Sequence, residues 1–136
     1  MSEQAIKKIL ITGANGFIGG SLMRYYQNQG QDVIGVDLVG NADDIVEGDI
    51  SQPDTISQQL QECDVIIHTA ALVSNAMQDS DMCRVNVLAT RNLIQAAKEH
   101  KVRRFVQISS IVAYGNTAEG ELDETHPVHA DGGSYV

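Results

Sequence analysis

Ile9-Leu10-Ile11-Thr12-Gly13-Ala14-Asn15-Gly16-Phe17-Ile18-Gly19-Gly20-Ser21 is the stretch from which the rest of the chain is read. A short apolar run, fit only for a buried strand, meets glycines 13, 16 and 19, and an amphipathic pattern begins at once. That order predicts a strand, a tight turn and a helix start. Gly13 permits backbone angles that a side chain forbids, Gly16 leaves room for a phosphate to reach the main chain, and Gly19 lets helix and strand pack closely. The unpaired amides of the helix start then face an anion. The spacing, Gly-x-x-Gly-x-x-Gly, differs from the common Gly-x-Gly-x-x-Gly fingerprint, and a strand-to-helix turn without a ligand is the plainer reading of the same residues.

The totals narrow the classes. A chain of 136 residues is one domain, long enough for a real core and short for an enzyme with a separate substrate lobe. Eighteen acidic against nine basic side chains give a formal charge of −9, which repels nucleic acid backbones and anionic membranes alike. Neither is expected as a partner. No apolar run approaches the about 18 residues of a membrane span, and the polar start lacks the order of a secretory signal. A soluble, cytoplasmic protein is expected. Cys63 and Cys83 are isolated and read as reduced packing residues. His126 and His129 flank Pro127, which prevents a helix from aligning the two imidazoles, so no metal site is expected.

Strand and helix patterns then alternate, which argues for a parallel sheet covered on both faces. Ile18, Leu22, Tyr25 and Tyr26 form a helical stripe that Gly30 can end. Strands are expected at residues 32–37, 45–47, 64–68 and 103–108, with helices over about 53–61 and 80–100. The last helix carries Met82, Val85, Ala89, Leu93 and Ala96 on one stripe, and Val87, Leu88 and Ile94 on a second. Right-handed crossovers place the first strand in the middle, the second and third to one side, the fourth and fifth to the other. The fold expected is a Rossmann-like doubly wound α/β sheet of about five strands, with cofactor sites at their carboxyl ends.

Asp37 closes the second strand. A carboxylate there can accept both ribose hydroxyls of the adenosine half of NAD and would repel the 2′-phosphate of NADP. Leu38 follows, so no arginine welcomes that phosphate. NAD is therefore favoured over NADP, although a solvated turn aspartate would look the same.

With these residues in hand, the chain resembles the extended short-chain dehydrogenase/reductase family, in its NAD-dependent epimerase/dehydratase group. The resemblance rests on Thr12 to Gly19, Asp37, Gly48-Asp49-Ile50, His68-Thr69-Ala70-Ala71, Val85 to Thr90, and Ser109 to Gly115, in the family's order. It implies an NAD-binding portion, residues 1–136, whose C-terminal substrate domain is absent. By the resemblance, Gly13, Gly16, Phe17, Ile18 and Gly19 would meet the pyrophosphate side. Asp37 and Leu38 would meet the ribose, Asp49 and Ile50 the adenine edge. Thr69, Ala70 and Ala71 would line the phosphate and nicotinamide ribose, with Asn86 near the floor. Read from the residues alone, Asp49 is equally a strand-end turn residue, and Asn86 needs a polar partner for structural reasons. His68, ending a buried strand, reads as a satisfied core histidine.

The resemblance also implies a catalytic pair: Ser110, whose hydroxyl would hold the substrate oxygen, and Tyr135, which would take or give the hydroxyl proton as hydride passes to or from the cofactor. Plainer readings are a strand-end cap for Ser110 and a frayed terminal aromatic for Tyr135. The family's motif is Tyr-x-x-x-Lys, and the 136 residues stop one past Tyr135. A tyrosine of pKa near 10 needs roughly 3 units, about 4 kcal/mol, of favourable charge interaction to act near neutrality, and that lysine supplies much of it. These residues alone are expected not to turn over. Further expectations are self-association through the helix about 80–100 and an open sheet edge at the fifth strand. The substrate stays open between a sugar nucleotide and the alcohols or ketones of the sterol and dihydroflavonol branch. A non-catalytic NAD-binding or interaction module is the reading from another class.

Overall fold

The computed structural model describes residues 5–40, 43–73, 79–115 and 120–128. Strand β1 (Lys8–Thr12) lies at the centre, and Leu10 and Ile11 on its two faces are fully buried. The chain then runs through α1 (Phe17–Asn28), β2 (Asp32–Asp37) and β3 (Ile45–Glu47). A 3-10 turn (Pro53–Ile56) leads into α2 (Ser57–Glu62) and β4 (Val65–His68). After α3 (Asp79–Met82) come a π-helical stretch (Cys83–Ala89), α4 (Thr90–Glu99), β5 (Arg104–Gln107) and a 3-10 turn (Ile111–Tyr114). Every strand pairing is parallel and the order is β3-β2-β1-β4-β5, the order read from the sequence.

Two cores follow from the period of two along the strands. Leu10, Val36 and Ile66 pack with Ile56, Leu60, Leu93 and Ala97 on one face. Ile9, Ile11, Val65 and Ile67 pack with Ala14, Met23 and Val33 on the other. The register sets Thr12 opposite both Val36 and His68, and His68 opposite Gln107, so the carboxyl ends of four strands form one level platform.

Helix α1 departs from the predicted stripe. Ile18 and Tyr25 face solvent, whereas Gly19 and Met23 are buried, with Leu22 and Tyr26 packed beside them. The reason is the turn: a Cβ on Gly19 would fall 2.1 Å from the Gly13 carbonyl oxygen, so the helix presents its glycine to the strand and the buried line shifts by a residue. Gly30, at φ +72°, ends the helix as expected: its amide donates to Gln27 O (2.9 Å), and that of Gln31 donates to Tyr26 O (3.0 Å).

The helix predicted over 80–100 is divided by the π-helical stretch. Its wider turns carry Asn86 and Thr90 to polar partners at the exit of β4, described below, which a straight α-helix would present differently. Of its second stripe, Val87 and Leu88 are exposed and Ile94 is half-buried. β5 ends the sheet order with one free edge among the described residues, and only Phe105 on it is half-buried. Cys63 is buried and Cys83 exposed, both as free thiols. No helix among the described residues is long and apolar enough to cross a membrane.

Candidate functional site

The platform of strand ends opens into a cleft of about 780 Å³. Its first wall is the glycine turn. Gly13 adopts φ +67°, and a Cβ there would stand 2.9 Å from the main chain of Ala70, so turn and opposite wall meet at closest approach. The Gly16 amide donates to Gly13 O (2.9 Å) and closes the turn. Gly16 is the N-cap of α1 with no side-chain cap bond, and no acidic side chain occupies the first helical turn. The first amides of α1 therefore meet no side chain that would fill an anion's place.

The second wall is the exit of β2. The Asp37 carboxylate accepts the Asn15 amide (2.9 Å) on one oxygen and the Leu38 amide (2.8 Å) on the other. It is thereby fixed against the glycine turn, and each oxygen keeps a lone pair for a further donor. Asn15 adds a strap, its Nδ2 donating to Val39 O at 2.7 Å. Sequence reading missed this role.

The third wall is the exit of β3. Asp49 is an Asx turn residue, accepting the Ser51 amide (2.8 Å), and it also lines the cleft. Hydrogen bonds from the Ser51 hydroxyl and amide hold its carboxyl below the usual carboxylate range. Ile50 is buried beside it.

The fourth wall is the exit of β4. Thr69, Ala70 and Ala71 line the cleft. The Thr69 hydroxyl donates to Thr12 O at 2.7 Å, which leaves it an acceptor toward the cleft. His68 is fully buried, with Nδ1 2.6 Å from Thr12 Oγ1 and Nε2 2.9 Å from Thr90 Oγ1. Burial pushes its pKa down to about 4.

Helical residues close the cleft from above. Asp81, Arg84, Val85 and Ala89 line it at one-turn spacing. Helical phase was the signal for Asp81 and Arg84, although the sequence pattern placed only their apolar neighbours. Arg84 lies 3.4 Å from Asp81 and is the cation among the lining residues, against Asp37, Asp49 and Asp81. Asn86 is not among the lining residues. Its Oδ1 accepts the Leu72 amide (2.8 Å) and its Nδ2 donates to Leu72 O (3.0 Å), the structural partner that its place in the helix requires.

Ser110 ends the loop after β5, where its Oγ accepts the Val112 amide at 3.3 Å as the cap of the last 3-10 turn. It too stands apart from the lining residues. Tyr135 and His129 lie outside the described residues. No group of three metal-ligating side chains occurs among the described residues.

The donor set suits a dinucleotide. There are side-chain-free helical amides for a diphosphate, a fixed carboxylate for a ribose, and apolar side chains among the lining residues for a base, in a volume typical of small-molecule sites, about 300–1,000 Å³.

Fold and cleft together define a Rossmann-type α/β domain. The profile of the NAD dependent epimerase/dehydratase family matches residues 9–135. The chain belongs to that family. It is 31% identical over 144 residues to the dTDP-glucose 4,6-dehydratase of Streptomyces niveus, covering 89% of this chain and 43% of the relative. It is 34% identical over 128 residues to sterol demethylase protein B of Methylococcus capsulatus, covering 85% of this chain and 38% of the relative. Among solved structures, a short-chain dehydrogenase/reductase superfamily protein of Agrobacterium tumefaciens with bound NAD superposes with a TM-score of 0.82. The two are 31% identical, and the match covers 94% of this chain and 40% of the other. The chain thus spans about 40% of the length of the proteins it matches.

Proposed function

We propose that the cleft binds NAD in preference to NADP, as the cofactor portion of an epimerase- or dehydratase-type oxidoreductase. The observation that carries this reading is Asp37, a carboxylate held against the glycine turn by the Asn15 amide at 2.9 Å and followed by Leu38 rather than by a cation. A 2′-phosphate at that place would meet like charge, whereas two ribose hydroxyls would meet acceptors. The first amides of α1 would hold the pyrophosphate, with Phe17 and Ile18 beside it. Asp49 and Ile50 would hold the adenine edge, and residues 69–71 would line the far wall. NAD when bound supplies a hydride acceptor. The chain's own contribution is to bind and orient it, while the Ser110 hydroxyl holds a substrate oxygen and Tyr135 exchanges the substrate hydroxyl proton. Both similarity to a sugar-nucleotide dehydratase and similarity to a sterol-processing protein support an alcohol or ketone substrate.

Calorimetric titration tests the reading. NAD binds more tightly than NADP, and Asp37→Ala removes the difference; equal affinities in the wild type overturn the preference. A second reading, an NAD-binding module without catalysis, is favoured by the place of Ser110 apart from the residues that line the cleft. These 136 residues are expected to bind without turning over, and a cofactor-dependent rate above the uncatalysed one overturns that expectation.

A further inference from the structure

Thr12 and His68 are the two polar side chains of the described residues that are wholly buried, and each is the last residue of its strand. Gly13 follows the first and Thr69 the second, so both sit directly beneath the cleft without lining it. The Ala70 amide donates to Thr12 Oγ1 at 3.3 Å. The Thr12 hydroxyl proton is then free to point at His68 Nδ1, 2.6 Å away, which makes Nδ1 the acceptor and leaves the ring proton on Nε2. Nε2 in turn donates to Thr90 Oγ1 at 2.9 Å. A neutral ring satisfies every member of this chain. A doubly protonated ring would donate from Nδ1 into the second lone pair of Thr12 Oγ1 and take away the acceptor of the Thr12 hydroxyl proton.

We infer that the buried chain Ala70, Thr12, His68, Thr90 is a positioning device that fixes the gap between the glycine turn and the opposite wall. Dinucleotide affinity then depends on side chains that cannot touch the dinucleotide. The inference rests on the cofactor reading above. Apolar residues would fill the same volume without the cost of burying polar groups, so the pattern of bonds is the useful property. Its tolerance is narrow. The missing Cβ of Gly13 marks a 2.9 Å approach to Ala70, and any drift of the Ala70 loop either clashes with the turn or opens the cleft. Thr90 hooks the helical wall to the end of β4 and Asn86, one turn before it, hooks it to the loop that follows, so three walls share one fastening.

The test uses the 136-residue chain. Thr12→Val keeps the shape and removes the hydroxyl; Thr12→Ser keeps the hydroxyl. Among samples shown to be folded by circular dichroism, Thr12→Val is expected to bind NAD about tenfold more weakly, and Thr12→Ser close to wild type. A merely structural role would lower the melting temperature and leave the affinity of the folded molecules unchanged, and that result overturns the inference. Imidazole nitrogen spectra are expected to show the Nε2–H form at His68; the Nδ1–H form also overturns it. If Thr12→Val does not fold, Thr90→Val, at the half-buried far end, carries the test: weaker NAD binding supports the device and wild-type affinity refutes it. If the wild type binds no dinucleotide, the cofactor reading falls. The device is then judged on the Gly13 amide resonance in Thr90→Val, two hydrogen bonds away; an unmoved resonance refutes it.

Discussion

His68 contributes a pH dependence of stability on the acid side of neutrality. Its pKa falls from the ordinary value of 6.5 to about 4 because burial disfavours the charged ring. Between those values the unfolded chain holds a proton that the folded chain refuses, so stability rises with pH through that window. The contribution is complete above pH about 6.5 and is lost as pH falls toward 4, amounting to about 2.5 kcal/mol by pH 4.5. The carboxylates with lowered values, Asp49, Glu62, Asp64 and Asp123, act at lower pH. Urea melts at pH 7 and pH 4.5 should therefore show a loss that His68→Gln largely abolishes. At the turn, Gly19→Ala puts a Cβ 2.1 Å from the Gly13 carbonyl oxygen and 2.9 Å from Thr69 Oγ1, and is expected to cost about 3 kcal/mol along with NAD binding. Thermal melts and titration read both. The glycines, Asp37 and the buried state of His68 were legible in the sequence because each obeys a local rule. The partners of His68 were not, since Thr12 and Thr90 lie 56 and 22 positions away and only the sheet register brings them together.

Helix ends and helix phase decide the next scale. α4 closes with Lys101 at φ +59°, the left-handed conformation that ends α1 at Gly30. The amide of Lys101 donates to Lys98 O (3.1 Å), and that of Val102 donates to Ala97 O (2.9 Å), the same pair of closing bonds. A side chain in that conformation is strained by about 1 kcal/mol, so Lys101→Gly is expected to stabilise by about 0.5 kcal/mol after the entropy of the added glycine is counted. Chemical denaturation measures it. Asn86→Ala leaves both main-chain groups of Leu72 without their partner and should cost about 2 kcal/mol, with the loop after β4 losing amide protection before the sheet does. Strands were legible as apolar runs. Helix phase was less so: α1 turns its glycine rather than its largest apolar residues to the sheet, and the π-helical stretch answers to polar partners on another element, which periodicity in one segment does not encode.

At the scale of the whole molecule, two surfaces oppose a strong charge. Val87 and Leu88 stand exposed on the π-helical stretch, and β5 presents an edge that is free among the described residues, with Val106 exposed beside it. Either can pair with a second copy, by apolar burial in the first case and by main-chain hydrogen bonds in the second. Against association stands a formal charge of −9, which makes like molecules repel. Salt shortens the screening length from about 10 Å at 0.1 M to about 3 Å at 1 M, weakening that repulsion while leaving apolar burial intact. Association is therefore expected to strengthen as salt rises, the opposite of an interface held by ion pairs. Sedimentation velocity across a salt series reads this, and loss of oligomer with added salt sinks it. The two surfaces separate by substitution. Leu88→Glu should abolish association if the helical face carries it and leave it intact if the strand edge does, while Val106→Lys should act the other way. A salt-strengthened oligomer that survives both substitutions refutes both surfaces.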